Sequence, residues 1–133
     1  MKYIILAAVF ILASVFSSPV HAESDWTITD TGLQLAYTTV HVMDWLQTRQ
    51  IAANPDKWHE TNPVLGEHPS KGKVDAYFAT TLVAHTAISY LLPKEVDVMG
   101  YKVPARNIWQ MVWIGVEVGY VAHNYSLGIQ AKF

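Results

Sequence analysis

Three ionisable side chains lie deep inside the apolar stretches of this sequence, where burial is costly. They are Asp44, His85 and Glu117. A charged side chain at the centre of a membrane helix costs about 2.5 kcal/mol or more, so each of these residues needs a partner or a function. Carboxylate and imidazole groups that meet in one place can exchange protons or bind a cation.

Other polar residues accompany these three side chains at helical spacing. The sets, each with intervals of three or four positions, are His41, Asp44 and Thr48; Thr81, His85 and Ser89; and Glu117, Tyr120 and Asn124. Residues at such intervals lie on one side of a helix. The spacing therefore predicts three polar stripes that face one another inside a bundle and satisfy each other's hydrogen bonds.

The segment from His59 to Gly66 has the composition of a rigid turn. Asn62 precedes Pro63, which disfavours helical backbone at Asn62, and the asparagine side chain can bond nearby backbone groups. We expect this turn to fold back against the helix ends and to bring Glu60 to the polar stripes. His68, beside Pro69, is expected to be solvated.

Two short motifs in this region resemble those of a known group of proteins. Asp44-Trp-Leu-Gln-Thr48, followed by Glu60-Thr-Asn62-Pro63 and a Leu-Gly pair, is similar to the D-x-x-x-T and E-x-N-P signatures of small multi-helix bacterial membrane proteins of unknown function. The resemblance covers residues 40–66. It implies a polytopic membrane protein in which the five motif residues act together, and it implies no reaction.

Three helices must position these residues. The first is predicted over residues 29–53, with an Asp or Thr at its cap and Asn54-Pro55 after it. The second is predicted over residues 74–92, between a polar turn and Pro93, and the third over residues 105–123, after Pro104. Gly115 and Gly119 have the spacing that allows two helices to approach closely.

The N-terminus has the pattern of an export signal. Lys2 is followed by an apolar run over residues 3–16 and by a Val-x-Ala ending at Ala22. This pattern predicts a cleavable signal peptide over residues 1–22, with an uncleaved anchor as the alternative. Residues 23–133 are then a single helical membrane domain that starts outside the cytoplasm and ends inside it.

Composition supports an all-α, three-helix membrane bundle preceded by a signal sequence. Apolar residues make up 51% of the 133 residues and charged residues 15%, against roughly 25% charged in an ordinary soluble domain. The mean hydropathy is +0.16. The net charge of −2 includes no basic run, which argues against nucleic-acid binding, and without cysteine there are no thiolate sites or disulfides.

The sequence thus predicts an integral membrane protein of the bacterial or phage-encoded envelope, located in the inner membrane. Its internal polar cluster has a non-enzymatic role, either structural or in binding a small ligand. The residues of the cluster are His41, Asp44, Thr48, Glu60, Asn62, His85, Glu117, His123 and Asn124. No metal site is predicted, because helical metal motifs such as H-E-x-x-H are absent, and no cofactor can be named.

Three alternatives stay open at this point. An intramembrane enzyme, metal-dependent or acid/base, would use Asp44, Glu60, His85 and Glu117 around a cavity that water can enter. A soluble periplasmic helical bundle would have an apolar core instead. A pore-forming oligomer would use the Gly115 and Gly119 face. The expected partners are membrane lipid and either further copies of this chain or a larger membrane complex.

Overall fold

The predicted three helices are present in the computed structural model, which describes residues 26–132. Helix α1 spans Ile28–Ala53, α2 spans Lys71–Leu91 and α3 spans Ala105–Ser126. A hairpin of two short strands, β1 (Val96–Val98) and β2 (Tyr101–Val103), connects α2 to α3. The signal sequence predicted over residues 1–22 lies outside the described residues.

Helix α1 begins with a reciprocal cap. The Thr27 hydroxyl accepts a hydrogen bond from the backbone N–H of Asp30, and the Asp30 carboxylate accepts one from the backbone N–H of Thr27. Each bond satisfies a donor that the helix would otherwise leave free. The helix ends at Ala53, immediately before Asn54-Pro55, as the sequence predicted.

Helix α2 begins three residues before the predicted start. The side chain of Ser70 accepts a hydrogen bond from the backbone N–H of Lys73, so Ser70 acts as the cap and the polar residues 71–73 form the first turn. The prediction placed these residues in a turn because they are polar. A solvent-facing first turn tolerates such residues once a cap precedes it.

The hairpin is the element that the sequence analysis missed. Val96 pairs with Val103 and Val98 with Tyr101 in antiparallel register. Met99 and Gly100, between the strands, both have positive φ angles, 55° and 86°. Positive φ at both central residues of a tight turn gives the twist that a two-residue hairpin needs. Strands of only three residues are too short to show the alternating pattern that predicts a strand from sequence.

Helix α1 is the centre of the bundle. It packs against both α2 and α3, whereas α2 and α3 contact each other sparsely. Residues 54–70, which connect α1 to α2, form the first loop. A small apolar cluster of Leu65, Val74 and Phe78 holds this loop against the helices. After α3, Gly128 adopts a positive φ of 79° and turns the chain back, which buries Ile129.

Two further observations bear on the membrane expectations. No helix within residues 26–132 is at once long and apolar enough to cross a membrane. A Cβ atom added at Gly115 or Gly119 would meet no atom within 4 Å. Within the part of the chain that the structure describes, the two glycines therefore do not mediate contact between helices.

Candidate functional site

His41 and Glu117 form an ion pair in the interior of the bundle. Nδ1 of His41 lies 2.7 Å from Oε1 of Glu117, and Nε2 lies 3.0 Å from the carbonyl oxygen of Phe78. An ionised carboxylate and a carbonyl accept hydrogen bonds but cannot donate them, so both ring nitrogens of His41 carry hydrogen. The imidazolium and the carboxylate thus neutralise each other away from solvent, with both side chains buried.

Aromatic rings surround this pair on its α2 side. The hydroxyl of Tyr37 lies 3.3 Å from Nδ1 of His41, and the Tyr37 ring stacks on the His85 ring with centroids 3.5 Å apart. The ring of Trp109 also stacks with His85, at 5.8 Å. His85 is therefore held by stacking, because neither of its ring nitrogens has a hydrogen-bond partner among residues 26–132.

Asp44 lies three residues after His41 on α1 and faces α3. Its Oδ1 accepts a hydrogen bond of 3.0 Å from the side-chain amide of Asn124. The same amide lies 3.3 Å from Oε1 of Gln47, whose own amide donates to the carbonyl of Ile129 at 3.2 Å. This chain of contacts ties the last residues of the described structure to α1.

Glu60 organises the turn that follows α1. Its Oε1 accepts hydrogen bonds of 2.8 Å from the backbone N–H groups of Thr61 and Asn62. The backbone N–H of Glu60 donates to the carbonyl of Glu67 at 2.8 Å, which closes the loop, and Oδ1 of Asn62 accepts from Val64 N–H at 3.0 Å. The predicted turn is present, and its Leu65 packs against Val74 and Phe78 of α2.

A cleft of about 360 Å³ opens within this turn. It is lined by residues 59–63, Gly66 and Glu67. The side chain of Glu60 forms part of the lining although the residue is only 9% exposed, and its second oxygen, Oε2, is buried without a hydrogen-bond partner in the described structure. The side chain of Glu60 therefore lies at the boundary between the cleft and the interior of the bundle.

Three buried carboxylates come together at this end of the bundle. The carboxylates of Glu117 and Glu60 are both near enough to Asp44 to act on it electrostatically, as is His41. The phenol of Tyr120 lies within the same electrostatic range of all three carboxylates. We call Asp44, Glu60 and Glu117 the carboxylate cluster; one residue comes from α1, one from the first loop and one from α3.

A separate polar layer closes the opposite end of the bundle. Arg106 donates through Nε and Nη2 to the carbonyl of Leu92, at 3.0 and 2.7 Å, and through Nη1 to Asp30 at 3.2 Å. Gln110 donates to the backbone carbonyl of Asp30 at 3.1 Å. Arg106 and Asp30 are each 1% exposed, so this is a fully buried ion pair.

The structure brings together most of the residues predicted for the polar cluster. Seven of the nine are buried: His41, Asp44, Thr48, Glu60, His85, Glu117 and Asn124. Asn62 is only half-buried, because its side chain caps the turn. His123 is exposed, because it lies about 100° around α3 from its neighbour Asn124 and therefore outside the cluster.

The sequence does not predict the buried pair of Asp30 and Arg106, or the burial of Gln47 and Gln110. It indicates Asp30 only as a possible helix cap, and Arg106 is outside the predicted polar cluster. A signal for the α3 residues was available, because Arg106, Gln110, Glu117 and Asn124 continue one stripe at intervals of four and seven residues. Extending the recognised stripe toward the start of the helix would have included Arg106.

The arrangement favours binding of a positively charged group or exchange of protons. Besides Oε2 of Glu60, Oε2 of Glu117 and the hydroxyl of Ser89 are buried without hydrogen-bond partners in the described residues, and buried polar atoms normally have such partners. No group of three or more His, Asp or Glu side chains within residues 26–132 is spaced to hold a metal ion.

Comparison with known proteins finds no family model, no curated protein and no solved structure that matches this chain.

Proposed function

We propose that this chain is an integral membrane protein of the bacterial or phage-encoded envelope, in which three helices enter the lipid together around an internal polar cluster. The main support for the proposal is the high proportion of polar residues among the buried ones. Among residues 26–132, twelve polar or charged residues are buried, against nine hydrophobic residues and Pro69, so the described interior is more polar than apolar. A water-soluble domain of this size depends on an apolar core instead.

The outer surface of the helices supports the same proposal. Large apolar side chains are exposed on each helix: Leu35 on α1, Val83 and Leu91 on α2, and Met111, Val112 and Val118 on α3. Exposed apolar side chains of this size are unfavourable in water and favourable in lipid. The lipid would contact this surface, while the polar stripes contact one another.

The lengths of the helices fit a bilayer. At about 1.5 Å per residue, the 26, 21 and 22 residues of α1, α2 and α3 extend about 39, 32 and 33 Å. The hydrocarbon core of a bilayer is about 30 Å thick. The mean hydropathy of a helix averages its inward and outward faces, whereas lipid contacts only the outward one.

In this proposal the buried polar residues determine which helices pack together. Helices in lipid gain little from apolar contacts with each other, because lipid is equally apolar, so interhelical hydrogen bonds and close packing select the partner. The His41–Glu117 and Asp30–Arg106 pairs both join α1 to α3. These are the two helices in most extensive contact.

A pair of lysine substitutions tests membrane insertion. Val83 is 70% exposed near the middle of α2, and Met99 is 95% exposed at the tip of the hairpin. Val83→Lys would place a charge in the hydrocarbon at a cost of about 2.5–3.5 kcal/mol, whereas Met99→Lys would not. We expect Val83→Lys to reduce the fraction of protein in carbonate-washed membranes, while Met99→Lys remains at the wild-type level.

The opposite results would contradict the proposal. If the wild-type chain is released by the carbonate wash, the chain is not integral to the membrane. If Val83→Lys and Met99→Lys both accumulate and partition as the wild type does, the exposed face of α2 meets water, because exposed substitutions in a soluble domain change stability by only about 0.5 kcal/mol. Either outcome would favour the soluble periplasmic bundle.

A further inference from the structure

The carboxylate cluster carries more negative charge than its protein contacts neutralise. His41 is paired with Glu117. Asp44 receives a hydrogen bond from the neutral amide of Asn124, and Glu60 receives two from the backbone of its own turn. Two of the three carboxylates therefore have uncharged donors only, although all three residues are more than nine-tenths buried.

Several basic side chains of the described structure have partners away from the cluster. The ion pairs that arginine and lysine form within residues 26–132 join Arg49 to Asp75, Lys102 to Glu95 and Arg106 to Asp30. Lys73 donates to the carbonyl of Leu65. Buried charges are stable only when they are paired or neutralised, so protons on the carboxylates or a cation from outside the chain would stabilise the cluster.

We propose that the carboxylate cluster binds a primary ammonium group that enters through the cleft of the first loop. An ammonium group has three hydrogens to donate, and the cluster offers one carboxylate from each of three elements. The unpartnered Oε2 atoms of Glu60 and Glu117 are acceptors for such donors. Glu60 lines the cleft and also acts on Asp44, so it lies where the ligand passes from the cleft into the bundle.

The number of available ligands favours an organic ammonium over a metal ion. A calcium ion needs six to eight oxygen ligands at about 2.3–2.6 Å, and the described side chains lack a grouping of that kind. An ammonium group binds carboxylates at longer distances, about 2.7–2.9 Å. The cleft of about 360 Å³ provides room for a short carbon chain attached to the nitrogen, and Tyr120 adds an aromatic group beside the carboxylates.

Two kinds of molecule carry a primary ammonium group of this size, namely a small soluble amine and the ethanolamine headgroup of a phospholipid. Binding of the headgroup depends on the membrane function proposed above, whereas binding of a soluble amine does not. Full-length protein in detergent is titrated by calorimetry with propylammonium chloride, and in parallel with tetramethylammonium chloride and calcium chloride at equal ionic strength. Tetramethylammonium has the same charge but no hydrogen to donate.

We expect propylammonium to bind at least about tenfold more tightly than tetramethylammonium, the factor that one charge-assisted hydrogen bond contributes. Glu60→Gln should abolish this preference. Glu67→Gln is the matched control, because Glu67 lines the same cleft but is exposed, and it should keep the preference. Asp44→Asn gives a second test within the cluster if Glu60→Gln disturbs the turn.

Three outcomes would overturn the ammonium site: equal binding of the two ammonium ions, tighter binding of calcium, or an unchanged preference in both Glu60→Gln and Asp44→Asn.

Repeating the titration in bilayers of phosphatidylethanolamine or phosphatidylcholine distinguishes the two sources of the ammonium group. Competition by phosphatidylethanolamine alone assigns the site to a lipid headgroup, and its absence assigns it to a soluble amine. A chain that binds propylammonium but washes off membranes would contradict only the membrane function.

Discussion

The two ends of the bundle bury carboxylates in different ways. At the hairpin end, Asp30 faces the guanidinium of Arg106, which also donates twice to the carbonyl of Leu92. In the half of the bundle nearer the first loop, the three carboxylates of Asp44, Glu60 and Glu117 have one imidazolium near them, that of His41, which pairs with Glu117. Among the described residues, the first end pairs one carboxylate with one guanidinium. The second end has an excess of negative charge.

The chemical identity of the basic partner sharpens this contrast. A guanidinium keeps its proton under all ordinary conditions, so Arg106 carries a permanent positive charge opposite Asp30. Histidine and carboxylic acids exchange protons readily, so the carboxylate cluster can change its charge when a ligand arrives. The comparison indicates that the hairpin end is built for stability and the loop end for binding. Substitutions at the two ends should therefore have different energetic consequences.

The largest effect is expected at the hairpin end, from Arg106→Met. The substitution removes the donors to Leu92 and leaves Asp30 buried without its cation. Breaking a buried ion pair by removing one partner costs about 3–5 kcal/mol. We expect the free energy of unfolding, measured by titration with SDS in mixed micelles, to decrease by that amount.

The double variant Asp30→Asn/Arg106→Met is the control for this prediction. It removes both charges and keeps an oxygen that can cap Thr27, so it should be more stable than Arg106→Met alone. If Arg106→Met costs less than about 1 kcal/mol, the pair does not hold this end of the bundle, and the contrast between the two ends fails.

An intermediate effect is expected from Glu117→Gln. The glutamine oxygen can still accept the hydrogen bond from His41, and the imidazolium can lose a proton once its counter-charge is removed. Loss of a hydrogen bond to a charged group costs about 1.5–3 kcal/mol, and we expect the lower part of that range in the same unfolding titration. Glu117→Leu, which removes the acceptor altogether, should cost more. A cost for Glu117→Gln equal to that of Arg106→Met would remove the distinction between the two kinds of partner.

The sequence predicted the helices well because their signals are local. Asn54-Pro55 ends α1, Pro93 follows α2 and Pro104 precedes α3, each by restricting the backbone of its own neighbourhood. The hairpin was missed because its strands are three residues long and its turn uses Met99 at positive φ. Positive φ is unusual for methionine, so residue type gives no indication of this turn.

The candidate site was predicted less evenly than the helices. The spacing of His41, Asp44 and Thr48 was sufficient to place them on one buried side of α1. The pairing of His41 with Glu117 depends on the relative rotation and depth of α1 and α3, which spacing within one helix cannot give. Arg106 was missed for a similar reason, because near the start of a helix a charge is normally solvated unless a distant partner, here Asp30, buries it.

The smallest effect, and one of opposite sign, is expected from Asp44→Asn. Asparagine keeps an oxygen for the amide of Asn124 and removes one of the mutually repelling charges of the carboxylate cluster. Without ligand, we expect the free energy of unfolding to stay the same or to increase by up to about 1 kcal/mol, as is common when a binding residue is neutralised. Saturating propylammonium should stabilise the wild type but not this variant, and thereby reverse their order in the unfolding titration. A decrease of more than about 1 kcal/mol without ligand would show that Asp44 holds the helices together as Arg106 does, and the loop end would then be a second structural layer.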